Sequence, residues 1–263
     1  MTLGVSLALG ASADSGTRAL RVCADPNSLP ASDERREGYE NKIAELLAAN
    51  LGARVEYVWW AQRRGFVRNS LKAGLCDVIM GVPVGFDPLL TTRAYYRSTY
   101  VFVWRRDRAL NVQSIDDRRL KHLTVGVQLV GDDGINTPPA HALARRAIVD
   151  NVRGFTVFGD YARPTPQTEI LHAVADGRVD VAAVWGPLAA YFADRLTIPL
   201  SFAAILPSDD PPGLRFTFAM AAGVRKDDVA LRDRLQAALD RRADDVRSIL
   251  DAYHVPRVEA SSP

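Results

Sequence analysis

The stretch "WWAQRRGFVRN" (59–69) gathers the residue types most able to bind something. Two tryptophans offer flat apolar faces, and three arginines offer fixed positive charge. Trp59 and Trp60 read either as cleft aromatics or as core packing, since strand alternation turns them to opposite faces. Arg63, Arg64 and Arg68 read either as a docking face for an acidic partner or as a solvated helix face. Loop acids and amides come next. Asp25, Asn27, Asp132 and Asp133 can hold a ligand or a metal, yet beside Gly and Pro such residues also shape turns. Phe86, Tyr95 and Tyr96 can line a cleft or pack at a hinge. Trp185, in "VWGP", ends another apolar run.

Catalytic patterns find little support. There is no G-x-S-x-G, no phosphate-binding G-x-x-x-x-G-K and no G-x-G-x-x-G. "HALARR" and "FGDYARP" show no recognisable acid–base geometry. The four histidines (His122, His141, His172, His254) lack zinc-ligand spacing. The chain is therefore read as a non-enzyme that binds no cofactor or metal of its own. A net charge of +2 over 263 residues gives no basic excess for nucleic acid.

These residues must be positioned by a scaffold, and its pattern is α/β. Strand-like runs at 19–24, 53–60 and 76–82 alternate with helical stretches at 40–52 and 61–74. The loop "DPNSLPASDERREG" lies between the first strand and the first helix. A further strand is expected at 100–106. A second alternation follows, with strands at 122–128, 154–159, 179–186 and 198–206. Its helices are expected at 137–149 (Thr137 as N-cap), 166–177 and 187–196. A strand over 214–224 and one or two amphipathic helices close the chain. Such alternation implies parallel strands buried on both faces. Two similar halves joined by a two-strand hinge describe a bilobal molecule, with its site at the carboxyl ends of the strands. Those ends carry 24–30, 59–62, 81–87, 128–136 and 185–187. The expected division is a leader remnant at 1–16, lobe 1 at 17–104 with 221–255, lobe 2 at 105–220 and a tail at 256–263.

The first residues, "MTLGVSLALGASADSG", end an apolar stretch in a small-x-small pattern, as an export signal does; a frayed tail is the other reading. No later run is long enough to span a membrane. Two cysteines in an exported chain suggest one disulfide, with two buried free thiols as the alternative. In a sheet of this order the first and third strands are neighbours, so Cys76 can reach Cys23.

"RVCADPNSLPAS", "GYENKIAELLAANLGARVEY" and "LHAVADGRVDVAAVW" resemble the type II periplasmic solute-binding proteins, the receptors of ABC transporters. "WWAQRRGFVRN", "CDVIMGVPVGFD", "TTRAYYRSTYVFV" and "VWGPLAAYFA" are similar to the MxaJ/XoxJ group within that superfamily. The resemblance implies a periplasmic accessory protein, monomeric on its own. Its partner would be a PQQ-dependent alcohol (methanol) dehydrogenase, with that enzyme's cytochrome c as a further candidate. It departs from amino-acid receptors at their charge clamps. Gly85, Phe86 and Asp87 stand where such receptors place a carboxylate-binding Arg, and Arg93 lies too near the hinge to replace it. Trp185, Gly186 and Pro187 stand where they place an acid, and "DDGIN" replaces the anion-binding turn. The alternative function is a solute receptor for a small uncharged or aromatic ligand.

Overall fold

The computed structural model describes residues 18–130, 136–158 and 160–259. The expected leader, Asp132 and Asp133 lie outside the described residues. Nine principal strands and seven helices follow one another: β1 (Arg18–Ala24), α1 (Tyr39–Asn50), β2 (Ala53–Trp59), α2 (Phe66–Asn69), β3 (Val78–Pro83), β4 (Tyr96–Arg105), β5 (Val125–Leu129), α3 (Pro138–Arg145), β6 (Val152–Thr156), α4 (Glu169–Ala175), β7 (Val181–Trp185), α5 (Gly186–Phe192), β8 (Leu200–Ala204), β9 (Thr217–Val224), α6 (Val229–Arg241) and α7 (Ala243–Ala252).

These strands run in the order β2-β1-β3-β9-β4-β7-β5-β6, with β8 on the other side of β4. β2, β1 and β3 are parallel, as are β7, β5 and β6. The two parallel halves meet through two long antiparallel strands. β4 pairs with β9 over Tyr96–Thr99, then with β7 and β8 over Tyr100–Arg105. One strand thus serves both lobes, and β9 returns beside it. This is the two-lobed periplasmic-binding-protein architecture.

Each sheet is buried on both faces, as parallel strands with helical crossovers must be. In lobe 1, Ile43 and Leu47 of α1 pack with Leu235 of α6 and Leu250 of α7 on one face. Phe66, Leu71, Ile79 and Val82 surround the cysteines on the other. In lobe 2, Ile170, Leu171 and Leu188 cover one face, and Phe102, Leu120, Leu143 and Phe216 the other. Cys23 and Cys76 form a disulfide with a Cα–Cα distance of 5.5 Å, a usual span for such a bond.

The helix expected over 61–74 is the main local departure. Only Phe66–Asn69 is α-helical, with turns on either side. Gly65 sits in the left-handed region at φ 87°, which ends any helix entering from Ala61. The face pattern survives nonetheless: Phe66, Ser70 and Leu71 are buried while Arg64, Arg68 and Lys72 are exposed. Thr137 holds the N-cap position of α3, but its hydroxyl donates to the Gln128 carbonyl at 2.6 Å rather than capping. Among the described residues no helix is long and apolar enough to cross a membrane.

Candidate functional site

Between the lobes lies a cavity of about 320 Å³. All five strand-end segments contribute to it, with Asp25, Gln62, Gly81, Gln128 and Trp185 each drawn from a different one. Because the strands within each half run parallel, their carboxyl ends share one edge, and the two half-sheets face each other across it.

Asp25 ends β1 and is 4% exposed. Its carboxylate accepts the backbone N–H of Asn27 at 2.8 Å and of Gln62 at 2.7 Å, and the hydroxyl of Tyr161. The first two bonds fix the loops after β1 and β2. The third comes from the opposite lobe. Asn27 continues the bridge: its Nδ2 donates to the Arg163 carbonyl at 3.0 Å, its Oδ1 accepts from the Thr165 N–H at 3.3 Å, and its carbonyl accepts from Gln167 Nε2 at 2.7 Å. Arg63 stacks its guanidinium 4.5 Å from the Tyr161 ring centroid. Burial and the negative charge of Asp25 raise the Tyr161 hydroxyl above its ordinary value, so it stays a donor. Three lobe 1 residues thus latch one lobe 2 loop, 161–167.

A second crossing joins α5 to the end of α7. Tyr191 stacks on Tyr253 with centroids 5.6 Å apart, and Tyr253 donates its hydroxyl to the Glu37 carbonyl. The chain then runs back along the junction, where Ser98 donates to the Pro256 carbonyl at 2.6 Å and Val258 N–H to the Arg97 carbonyl at 3.1 Å.

Aromatic rings form the walls. Tyr39 and Tyr96 meet edge-on at 6.0 Å, with their hydroxyls 3.0 Å apart. Tyr100, Trp185 and Phe218 form a triangle with centroid separations of 5.3, 6.3 and 6.1 Å. The Trp185 backbone N–H donates to Gln128 Oε1 at 2.9 Å. Burial holds Tyr39, Tyr96 and Tyr100 neutral by raising their hydroxyls above the usual range.

Glu40, in the first turn of α1, points its carboxyl at Gly81 of β3. A Cβ on Gly81 would lie 1.9 Å from Glu40 Oε1, and Gly81 takes φ 64°. Burial pushes the Glu40 carboxyl up to about 7, and the charge on Asp25 adds to the effect. Asp25 and Glu40 are the charged residues lining the cavity; no lysine or arginine does so among the described residues.

The expected site residues therefore divide. Asp25, Tyr96 and Trp185 line the cavity, and Asn27 and Arg63 build the latch. Trp59 does not reach the cavity: it stacks on Tyr57 at 4.5 Å, half-buried beside α1. Trp60, Arg64 and Phe86 are exposed outside it. Arg93 is turned away altogether, paired with Asp240 of α6 at 2.6 Å, with its own N–H on Gln236. Asp132 falls outside the described residues. Sequence reasoning missed Glu40, Tyr161, Gln167 and Phe218. Glu40 was hidden in a helical pattern, and Tyr161 and Gln167 lie on a connection whose fold brings them back across the cleft.

No protein-family model matches the chain. A relative named MoxJ from Methylorubrum extorquens is 31% identical over 257 residues, covering 95% of this chain and 84% of the relative. The crystal structure of the periplasmic binding protein XoxJ from Methylobacterium extorquens AM1 superposes with a TM-score of 0.75 at 32% identity. It covers 92% of this chain and 100% of that one. The crystal structure of MxaJ from Methlophaga aminisulfidivorans MPT gives 0.78 at 25% identity, over 91% and 100%. Identity of that level across nearly the whole chain, together with the two-lobed fold, means that this chain belongs to the MoxJ/XoxJ family of periplasmic-binding-protein-like proteins.

Proposed function

We propose that the chain is a periplasmic accessory protein for a PQQ-dependent alcohol dehydrogenase, the methanol-oxidising type above all. It acts by protein contact during assembly, maturation or activation of that enzyme, and it does no chemistry itself. The observation that carries this reading is the cleft. No lysine or arginine lines it among the described residues. An amino-acid zwitterion would have to leave its carboxylate unpaired there, at a cost of several kcal/mol. The fold of an amino-acid receptor has therefore lost that receptor's chemistry, in keeping with membership of the MoxJ/XoxJ family. Family membership also favours a periplasmic setting, where the Cys23–Cys76 disulfide is stable.

Co-purification with the cognate dehydrogenase tests this, paired with the activity of enzyme produced with and without the chain. A complex and a gain in active enzyme are expected. No complex and unchanged activity would refute the accessory role. The built cavity favours a second reading, a solute receptor for a small ligand. A thermal-shift panel separates the two: one compound raising Tm by several degrees, with no affinity for the dehydrogenase, selects the receptor.

A further inference from the structure

The cavity has unmet acceptors and, among the described residues, no matching cation. Asp25 already accepts from two backbone amides and the Tyr161 hydroxyl. Glu40 differs: no described residue donates a hydrogen bond to its carboxylate, and Gly81 leaves the space for it. Gln167, 8% exposed, lines the same cavity. Its Nε2 is engaged by the Asn27 carbonyl at 2.7 Å, which leaves Oε1 buried with no partner. A buried acceptor such as Gln167 Oε1 costs free energy until a donor arrives, and the half-buried Glu40 carboxylate stands beside it without a counter-charge.

The walls select the rest of the ligand. Tyr100, Trp185 and Phe218 present three ring faces and edges to one space. Aromatic faces attract cations as well as apolar groups. A carboxylate-bearing ligand meets two acids and no base. A neutral ligand leaves Glu40 without a counter-charge. A volume of about 320 Å³ lies at the small end of ligand clefts.

We propose that this cavity binds a small organic ammonium ion carrying no carboxylate. Its N–H groups turn to the Glu40 carboxylate, Gln167 Oε1 offers a second acceptor, and its hydrocarbon part lies against Tyr100, Trp185 and Phe218. The titration below uses this chain alone, so the ammonium site and the dehydrogenase contact can each fail without the other.

Isothermal titration of the full chain tests it, with butylammonium and benzylammonium against benzyl alcohol and benzoate. At a pH of about 8 at least one ammonium ion binds with a Kd below about 1 mM. Benzyl alcohol binds about ten-fold more weakly or worse, and benzoate gives no heat. Glu40→Gln removes most of the preference for ammonium over alcohol. A measurement on the unaltered chain stands beside this variant. Lowering the pH to about 5.5 protonates Glu40 and weakens ammonium binding several-fold. Of the groups around Glu40, Tyr39, Tyr95 and Tyr96 stay neutral throughout that range, and Asp25 faces the Asn27 and Gln62 amides and the Tyr161 hydroxyl. Alcohol bound as tightly as ammonium, an affinity flat with pH, or neither ammonium held at about 1 mM would each overturn the proposal.

Discussion

Glu40 carries an energetic cost that the rest of the cleft imposes. Its carboxyl holds a proton up to about pH 7 in the folded chain, against 4.5 for the free group. Between those values the folded state binds more protons than the unfolded one, so stability falls as pH rises through the window. Urea midpoints measured across it should decline, and Glu40→Gln should flatten that decline. Gly81→Ala should destabilise the fold by about 1–2 kcal/mol, because a side chain at φ 64° is strained and its Cβ would displace the Glu40 carboxyl. Thermal unfolding of the variant checks this. Neither role was legible in the sequence. Glu40 reads as an ordinary first-turn acid of a helix, and Gly81 as one more glycine in a strand. What makes them a pair is the packing of α1 against β3. Asp25 and Trp185 were legible, because each ends a strand and strand ends face the cleft.

At the scale of elements, the alternation of strands and helices was readable because the periods are strong and both sheet faces are apolar. The failure at 61–74 has a local cause. Gly65 takes a left-handed conformation, and the Gln62 N–H is drawn to Asp25 rather than into a helical ladder. The segment is therefore a loop anchored to the site, not a free helix face. The disulfide is the covalent counterpart of that anchoring. It ties the turn just before β3 to the carboxyl end of β1 across 53 residues of sequence. Closing a loop of that length stabilises by about 4 kcal/mol in the chain-entropy account, and native strain commonly trims this. Replacing both cysteines by alanine should lower the urea midpoint by an amount equal to about 2–4 kcal/mol, with m raised because the unfolded chain loses its cross-link and exposes more surface.

The whole molecule is two lobes that share strands and touch at a latch. The long strand β4 was foreseeable as a hinge from its position between the two alternations, and β9 as the strand that follows the second. The latch was not. It depends on the loop 161–167 crossing to Asp25 and Asn27, which are more than a hundred residues away in sequence. "FGDYARP" shows no pattern of its own; only the tertiary fold makes Tyr161 a partner. Tyr161→Phe removes one charge-assisted hydrogen bond and keeps the ring under Arg63. The loss of about 1.5–3 kcal/mol falls on the closed arrangement alone. Small-angle scattering should then report a larger radius of gyration than for the parent chain, while urea stability changes little. Equal scattering curves would mean that the remaining Asn27 bonds hold the lobes by themselves.

Among the bonds of the latch, one has a backbone donor that crosses from lobe to lobe. The Thr165 N–H reaches Asn27 Oδ1, whereas the Asn27 amide reaches Asp25 within its own lobe. Parting the lobes breaks the first bond and leaves the second in place. The Thr165 amide is thus a built-in isotope clock for the molecule: its deuterium uptake counts openings, and the Asn27 amide supplies the baseline.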